Sequence, residues 1–312
     1  MIENVLTGLD GSNPLGFLAA LGTLRILGES TTAPVRLSWR EEGRWRPVLH
    51  VPAGSGTADP VGAVMIDLRS WKHAPELSLQ YQKDGKSGRK VRDLKPRPEV
   101  FKKFLQKAVK EGAGQRRLAD FAAAYGTDMA RDGKGNTKPS AFHFTAGQQN
   151  FLEMVVQLSD GLKKEHVEEA LFGPWRYESE LPVLRWDVSA ERLYALLASD
   201  PAGEKARGVP GADWLAFQAL PLFPCFPQTT LGGTARVVTT GFEGQGKDFV
   251  FRWPLWLVPA TLSTVRSLLA GATHELSAEA RRARGIAIVL ESQCRRSDHG
   301  YGTFSAPVRA AS

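Results

Sequence analysis

The stretch from Leu9 to Leu27, LDGSNPLGFLAALGTLRIL, constrains the fold more than any other. Ser12 or Asn13 can cap a helix, Pro14 stands at its first position, and Gly28 follows the last apolar residue, so the pattern predicts a helix over 14–27. A phosphate-binding loop needs glycines whose amides converge on an anion, usually with a lysine, and the block contains no lysine. A dinucleotide fingerprint needs G-x-G-x-x-G, and Gly8, Gly11 and Gly16 lack that spacing. Gly16, Ala19, Ala20 and Gly22 form a face of small residues. The block therefore reads as a helix that another backbone approaches closely. Phosphate contact at its N-terminus is the subordinate reading.

Period and punctuation give the rest. Strands are predicted at 4–9, 34–41, 44–52, 63–71 and 285–296, with a hairpin turn at Glu41-Glu42-Gly43. Residues 53–62, 82–98, 126–140 and 297–305 read as loops. Residues 99–125 read as one helix whose apolar face is Val100, Phe101, Phe104, Leu105 and Ala108. The segment 141–162 opens extended and becomes helical over 147–158. Further helices are predicted at 189–201, capped by Ser189, then from 213 to about Pro221, and at 259–271. A linker is predicted at 202–212 and a hairpin around GFEGQGKD within 235–256. Strands and helices alternate without a βαβα rhythm. That predicts an α+β fold of mixed antiparallel sheets and packed helices rather than a doubly wound one. A weak boundary divides it into an N-terminal α+β unit, 1–185, and a C-terminal α+β/helical unit, 186–312.

Charge is concentrated. The 312-residue chain carries a formal net charge of +7, yet residues 83–117 hold thirteen Lys and Arg against four acids, a net +9. Clustered cations of this kind neutralise phosphates and release counterions. The candidate nucleic-acid contacts are Lys83, Lys86, Arg89, Lys90, Arg92, Lys95 and Arg97 in the loop, and Lys102, Lys103, Lys107 and Lys110 on the helix. Trp71, Tyr81, Phe101 and Phe104 interleave with the charges as candidate stacking surfaces. A second cluster, Arg281, Arg282, Arg284, Arg295 and Arg296, brackets the last long strand, and His299 and Tyr301 follow it in a glycine-flexible loop. Arg295 and Arg296 are taken from it as contacts. In FHFTAGQQNF, His143, Thr145, Gln148, Gln149 and Asn150 surround a strand-to-helix switch, and Gln148 and Asn150 are candidates for base or phosphate contact. A threonine cap beside a satisfied core histidine is the competing reading of that segment.

Catalytic motifs are sparse. The six histidines form no HExxH, HxH or HD pattern, there is no GxSxG, and Cys225 and Cys294 stand far apart without CxxC. No catalytic residue, metal ligand or cofactor is assigned. Two cysteines fit a reducing cytosol, and a cytoplasmic location is expected. The N-terminal MIENVLTGLDG lacks the basic and apolar regions of a secretory signal, and no run reaches 18 apolar residues, so no membrane association is expected.

Three blocks, GLDGSNPLGFLAALGTLRIL, FHFTAGQQNFL and PWRYESELPVLRWD, together resemble proteins of type I CRISPR systems, nearest the subtype once called U and now G. The match covers about fifty residues, and it fits a large-subunit-like protein or a helicase-nuclease extension. The resemblance implies a non-catalytic subunit of an RNA-guided surveillance (Cascade) complex, with crRNA or target DNA, the other effector subunits and the helicase-nuclease as partners. In such complexes base pairing reads the sequence while protein grips backbone and a short flanking motif. The alternatives are a metal-dependent nuclease of a defence system and a scaffold that does not touch nucleic acid.

Overall fold

The computed structural model describes residues 1–54, 59–83, 89–112, 116–188, 207–229, 233–244, 249–296 and 300–311. Strand β1 (Ile2–Val5) leads to helix α1 (Pro14–Ser30). The Asn13 side chain accepts the Leu15 amide at 3.1 Å, the predicted cap. Gly28 has nothing near the place of a Cβ, and the helix runs past it to Ser30. Strands β2 (Arg36–Glu41) and β3 (Trp45–Val51) form the predicted hairpin, closing at Glu41 opposite Trp45.

Several local expectations are corrected. The predicted strand at 63–71 is helix α2 (Pro60–Arg69). The Asp59 carboxylate accepts the Val61 amide at 3.0 Å, and Val61, Val64 and Leu68 are buried at helical spacing. The 82–98 segment is not wholly loop: β4 (Gln80–Gln82) pairs with β5 (Lys90–Arg92). The single helix over 99–125 is two, α3 (Pro98–Gly112) and α4 (Arg116–Tyr125). The polar segment 126–140 is a hairpin of β6 (Gly126–Arg131) and β7 (Thr137–Pro139). Its turn is held by Asp132 Oδ1, which accepts the Lys134 and Asn136 amides at 2.8 and 2.9 Å. Helix α5 (Phe151–Gly161) starts later than Gly147, because Gly147 has φ +61° and cannot continue a right-handed helix.

Helices α6 (Lys164–Phe172) and α7 (Pro210–Gln218) follow, α7 ending just before Pro221 as predicted. The helix predicted at 189–201 lies outside the described residues. Strands β8 (Cys225–Thr229) and β9 (Ala235–Thr239) pair with each other, so the hairpin expected over 235–256 is shorter than predicted: β10 (Phe242–Glu243), inside the expected turn, pairs with β11 (Val250–Trp256). Strand β12 (Ala260–Thr261) enters α8 (Leu262–Ala270), which stops at Gly271. Helix α9 (Ala278–Ala283) and strand β13 (Ile286–Arg296) follow, then β14 (Gly302–Phe304), where a loop was expected, and β15 (Val308–Arg309). One antiparallel sheet runs β1-β3-β2-β12; a second runs β10-β11-β13-β14, with β15 also on β13. This is the expected α+β architecture. No described helix is long and apolar enough to cross a membrane.

The opening block is packing. α1 is buried from Pro14 to Leu27 and lies against α7 so closely that a Cβ on Gly22 would sit 1.8 Å from the Leu215 carbonyl oxygen. Phe17 stacks on Trp39 and packs beside Trp253, whose indole N–H donates to the Gly11 carbonyl at 2.8 Å. The connected core contains residues from Leu6 to Phe304. The three blocks that carry the family resemblance meet inside it. Asn13 Nδ2 donates to Asp187 Oδ1 at 2.9 Å, Tyr177 donates to Asp187 Oδ2 at 2.8 Å, and Trp186 Nε1 donates to the Phe142 carbonyl at 3.0 Å.

Candidate nucleic-acid interface

The site is organised by one buried carboxylate. Asp93 follows β5, and its Oδ1 accepts the Phe151 amide at 3.0 Å, which ties the basic segment to the start of α5. His143 Nε2 stands 3.0 Å from the same oxygen, with Thr145 Oγ1 3.1 Å from that nitrogen. Tyr81 donates to Asp93 Oδ2 at 3.3 Å. Burial raises the Asp93 pKa, but the hydrogen bonds and charge of its partners, His143 first, outweigh it and hold the carboxyl down at about 2. Burial lowers the His143 pKa despite the Asp93 charge, so the imidazole is neutral at pH 7. An ionised Asp93 accepts only, so the Nε2 hydrogen belongs to His143.

Around this anchor lies a cleft of about 650 Å³. Four separated stretches line it: Tyr81 to Lys83, Asp93 to Arg97, the Asp132–Asn136 turn, and His143 to Gln149. It gathers Lys83, Lys95, Arg97 and Lys134. Lys83 Nζ donates to the Gly147 carbonyl at 3.2 Å, and Arg97 Nη1 donates to the Lys134 carbonyl at 3.0 Å. Lys95 is half-buried; burial lowers its pKa, Asp93 opposes that shift, and Arg296 and Lys83 add to it. Among the described residues no carboxylate stands within ion-pair distance of Lys83, Lys95 or Lys134.

The C-terminal residues brace one wall. Arg296 Nη2 donates to the His143 carbonyl at 3.2 Å and Nη1 to the Gly300 carbonyl at 3.2 Å, with its guanidinium over Phe144. Burial lowers its pKa. Tyr301 packs under Arg185, and its hydroxyl would stand 3.1 Å from a Cβ on Gly147.

The other sequence candidates divide cleanly. Arg89 and Lys90 are exposed at the β5 end, and Lys86 lies outside the described residues. The Arg92 side chain lies beside Gln80 on the paired strand, away from the cleft lining. Lys102, Lys103, Lys107 and Lys110 are exposed along α3, whose opposite face buries Phe101, Phe104 and Ala108. Asn150 is buried and donates to Glu153 at 2.7 Å; Gln148 is exposed but does not line the cleft, whereas Gln149 does. Arg295 is exposed on β13 opposite Thr303. The stacking surfaces are corrected: Trp71, Phe101 and Phe104 belong to the core, packed on Phe121, on each other and on Tyr125. Of the four aromatic residues, Tyr81 alone lines the cleft. Arg281 is buried against the Thr273 carbonyl, and His299 lies outside the described residues.

Sequence reasoning missed Lys134 and Asn136, and it named Gln149 in the FHFTAGQQNF segment while choosing Gln148 and Asn150 as the contacts. The signal of the first two was a lysine in a glycine-rich turn and an amide beside a glycine, both outside the dense charge window. It also missed Asp93 as the anchor, since one acid among many cations reads as charge balance. Burial pushes the Cys225 thiol up to about 11 and Cys294 up as well, so neither is a ready thiolate. Among the described residues no group of three or more His, Cys, Asp or Glu is placed to hold a metal ion. No protein-family model matches the chain, and no curated protein matches it.

Proposed function

We propose that the protein is a non-catalytic, cytoplasmic nucleic-acid-binding subunit of a type I CRISPR RNA-guided complex, gripping crRNA or target DNA by its phosphates. The family part of this reading comes from the three sequence blocks. The binding part is carried by one observation: Lys83, Lys95, Arg97 and Lys134 meet in a single cleft. Lys83 and Lys95 are half-buried there with no carboxylate within ion-pair distance among the described residues, which is costly unless an anion joins them. Helix α3 begins directly after Arg97, and its exposed lysine face, from Lys102 onward, offers a continuation for a strand leaving the cleft. Contacts of this kind read backbone rather than base edges, in keeping with a protein that leaves sequence to base pairing.

The test is binding of a labelled single-stranded RNA and a DNA of the same sequence to the purified chain. The variant Lys95→Ala/Lys134→Ala is expected to lose about a hundredfold in affinity, from two charge-assisted contacts at about 1.5 kcal/mol each. Wild-type affinity in the variant would overturn the assignment of the cleft.

A further inference from the structure

We propose that the cleft is an end site: it takes a single nucleotide by its phosphomonoester, either as the terminal phosphate of a strand or as a free nucleotide. The inference takes from the preceding reading that the partner is a nucleotide phosphate, and adds which phosphate. The first observation is size. A cleft of about 650 Å³ has the dimensions of a site for one small molecule, not of an extended groove. The Lys83–Gly147 hydrogen bond joins two of its walls, which suits a pocket more than a channel for a continuous strand.

The second observation is charge. Both Asp93 oxygens are engaged, by His143 and the Phe151 amide on one side and by Tyr81 on the other, and Asp132 Oδ1 is committed to its own turn. Lys83, Lys95 and Lys134 are left without carboxylate partners among the described residues. An internal phosphodiester brings one negative charge. A terminal phosphate brings about −1.5 to −2 at neutral pH and three acceptor oxygens. Three lysines and Arg97, set against Asp93 and Asp132 in the same lining, leave two positive charges, which match the second ligand better.

The third observation distinguishes a nucleotide from inorganic phosphate. Gln149 lines this region, and its buried Oε1 has no hydrogen-bond partner among the described residues. It is an acceptor waiting for a donor, which a sugar hydroxyl or an exocyclic base amine supplies and a phosphate dianion does not. Asn136 and the Tyr81 ring line the same space and complete a wall suited to a nucleoside.

The experiment compares oligonucleotides of one sequence carrying a 5′-phosphate, a 3′-phosphate or hydroxyls at both ends. A nucleoside 5′-monophosphate and inorganic phosphate serve as competitors, all on the full chain. One phosphorylated strand is expected to bind about tenfold tighter than the hydroxyl strand, a difference of ~1.4 kcal/mol. Lys95→Ala/Lys134→Ala removes that preference. Lys102→Ala/Lys103→Ala/Lys107→Ala weakens all strands and preserves it. Gln149→Ala weakens competition by the nucleotide but not by inorganic phosphate. Equal affinity for all three strands overturns the end site and leaves the nucleic-acid reading standing. Binding of the free nucleotide with no binding of any strand supports the pocket and overturns the nucleic-acid reading. Binding of neither overturns both.

Discussion

Asp93 shows what a single residue does in this fold. It joins a β-hairpin, the histidine of a loop and the first amide of α5, so one carboxylate fixes three walls of the cleft. Asp93→Ala leaves those donors unpaired in a buried setting and is expected to cost about 3–5 kcal/mol, measured by denaturant unfolding. Its lowered pKa means that its contribution is complete above the ordinary value near 3.8 and is lost as pH falls towards about 2. His143 acts at milder pH. Its folded pKa is lowered, so the unfolded chain takes up the proton more readily and stability falls as pH drops below about 6.5. Burial lowers His50 in the same way, while desolvation raises the carboxyls of Glu29, Asp67 and the fully buried Asp213, which act in the opposite sense. The readout is therefore the difference between chains: His143→Gln keeps a donor for Asp93 and is expected to flatten the decline in thermal midpoint between pH 7 and pH 5. An unchanged profile contradicts the assignment of a buried neutral imidazole. None of this was visible in FHFTAGQQNF alone, because the partner of His143 lies fifty residues away.

At the scale of elements, the capped helix was legible because its signals are local: Asn13, Pro14 and the small-residue face are all within one stretch. What those small residues meet was not legible, since α7 is nearly two hundred residues further on. Gly22→Val is expected to lose several kcal/mol or fail to fold, as its Cβ would occupy the Leu215 carbonyl; a change of less than about 1 kcal/mol contradicts the close crossing. α2 was misread for a related reason. Its apolar residues also suit a strand, and the decisive Asp59–Pro60 start lies outside the run that looks extended. α3 gave the opposite outcome. Its lysines and phenylalanines separate by helical period, so both faces were predictable, but the phenylalanines serve the core instead of stacking on bases. Replacing Lys102, Lys103, Lys107 and Lys110 by alanine is thus expected to move stability by no more than about 0.5 kcal/mol per site in thermal unfolding, while weakening nucleic-acid binding.

At the scale of the molecule, the α+β character could be read from the order of strands and helices, but the cleft could not. Its cations come from the residue after β4, the residues after β5, the β6–β7 turn and, at the back wall, the end of β13, and only the tertiary fold adds them together. A charge count along the chain found the first two and passed over Lys134. The central claim is that these cations act jointly on phosphate, and the salt dependence of strand binding tests it most directly. For a single strand the slope of log K against log salt is about −0.7 per phosphate neutralised. Changing Lys83, Lys95, Arg97 and Lys134 together to alanine, in a chain shown to be folded by its unfolding transition, is predicted to make that slope shallower by about 3. An unchanged slope, with affinity equal to wild type at every salt concentration, would contradict the account.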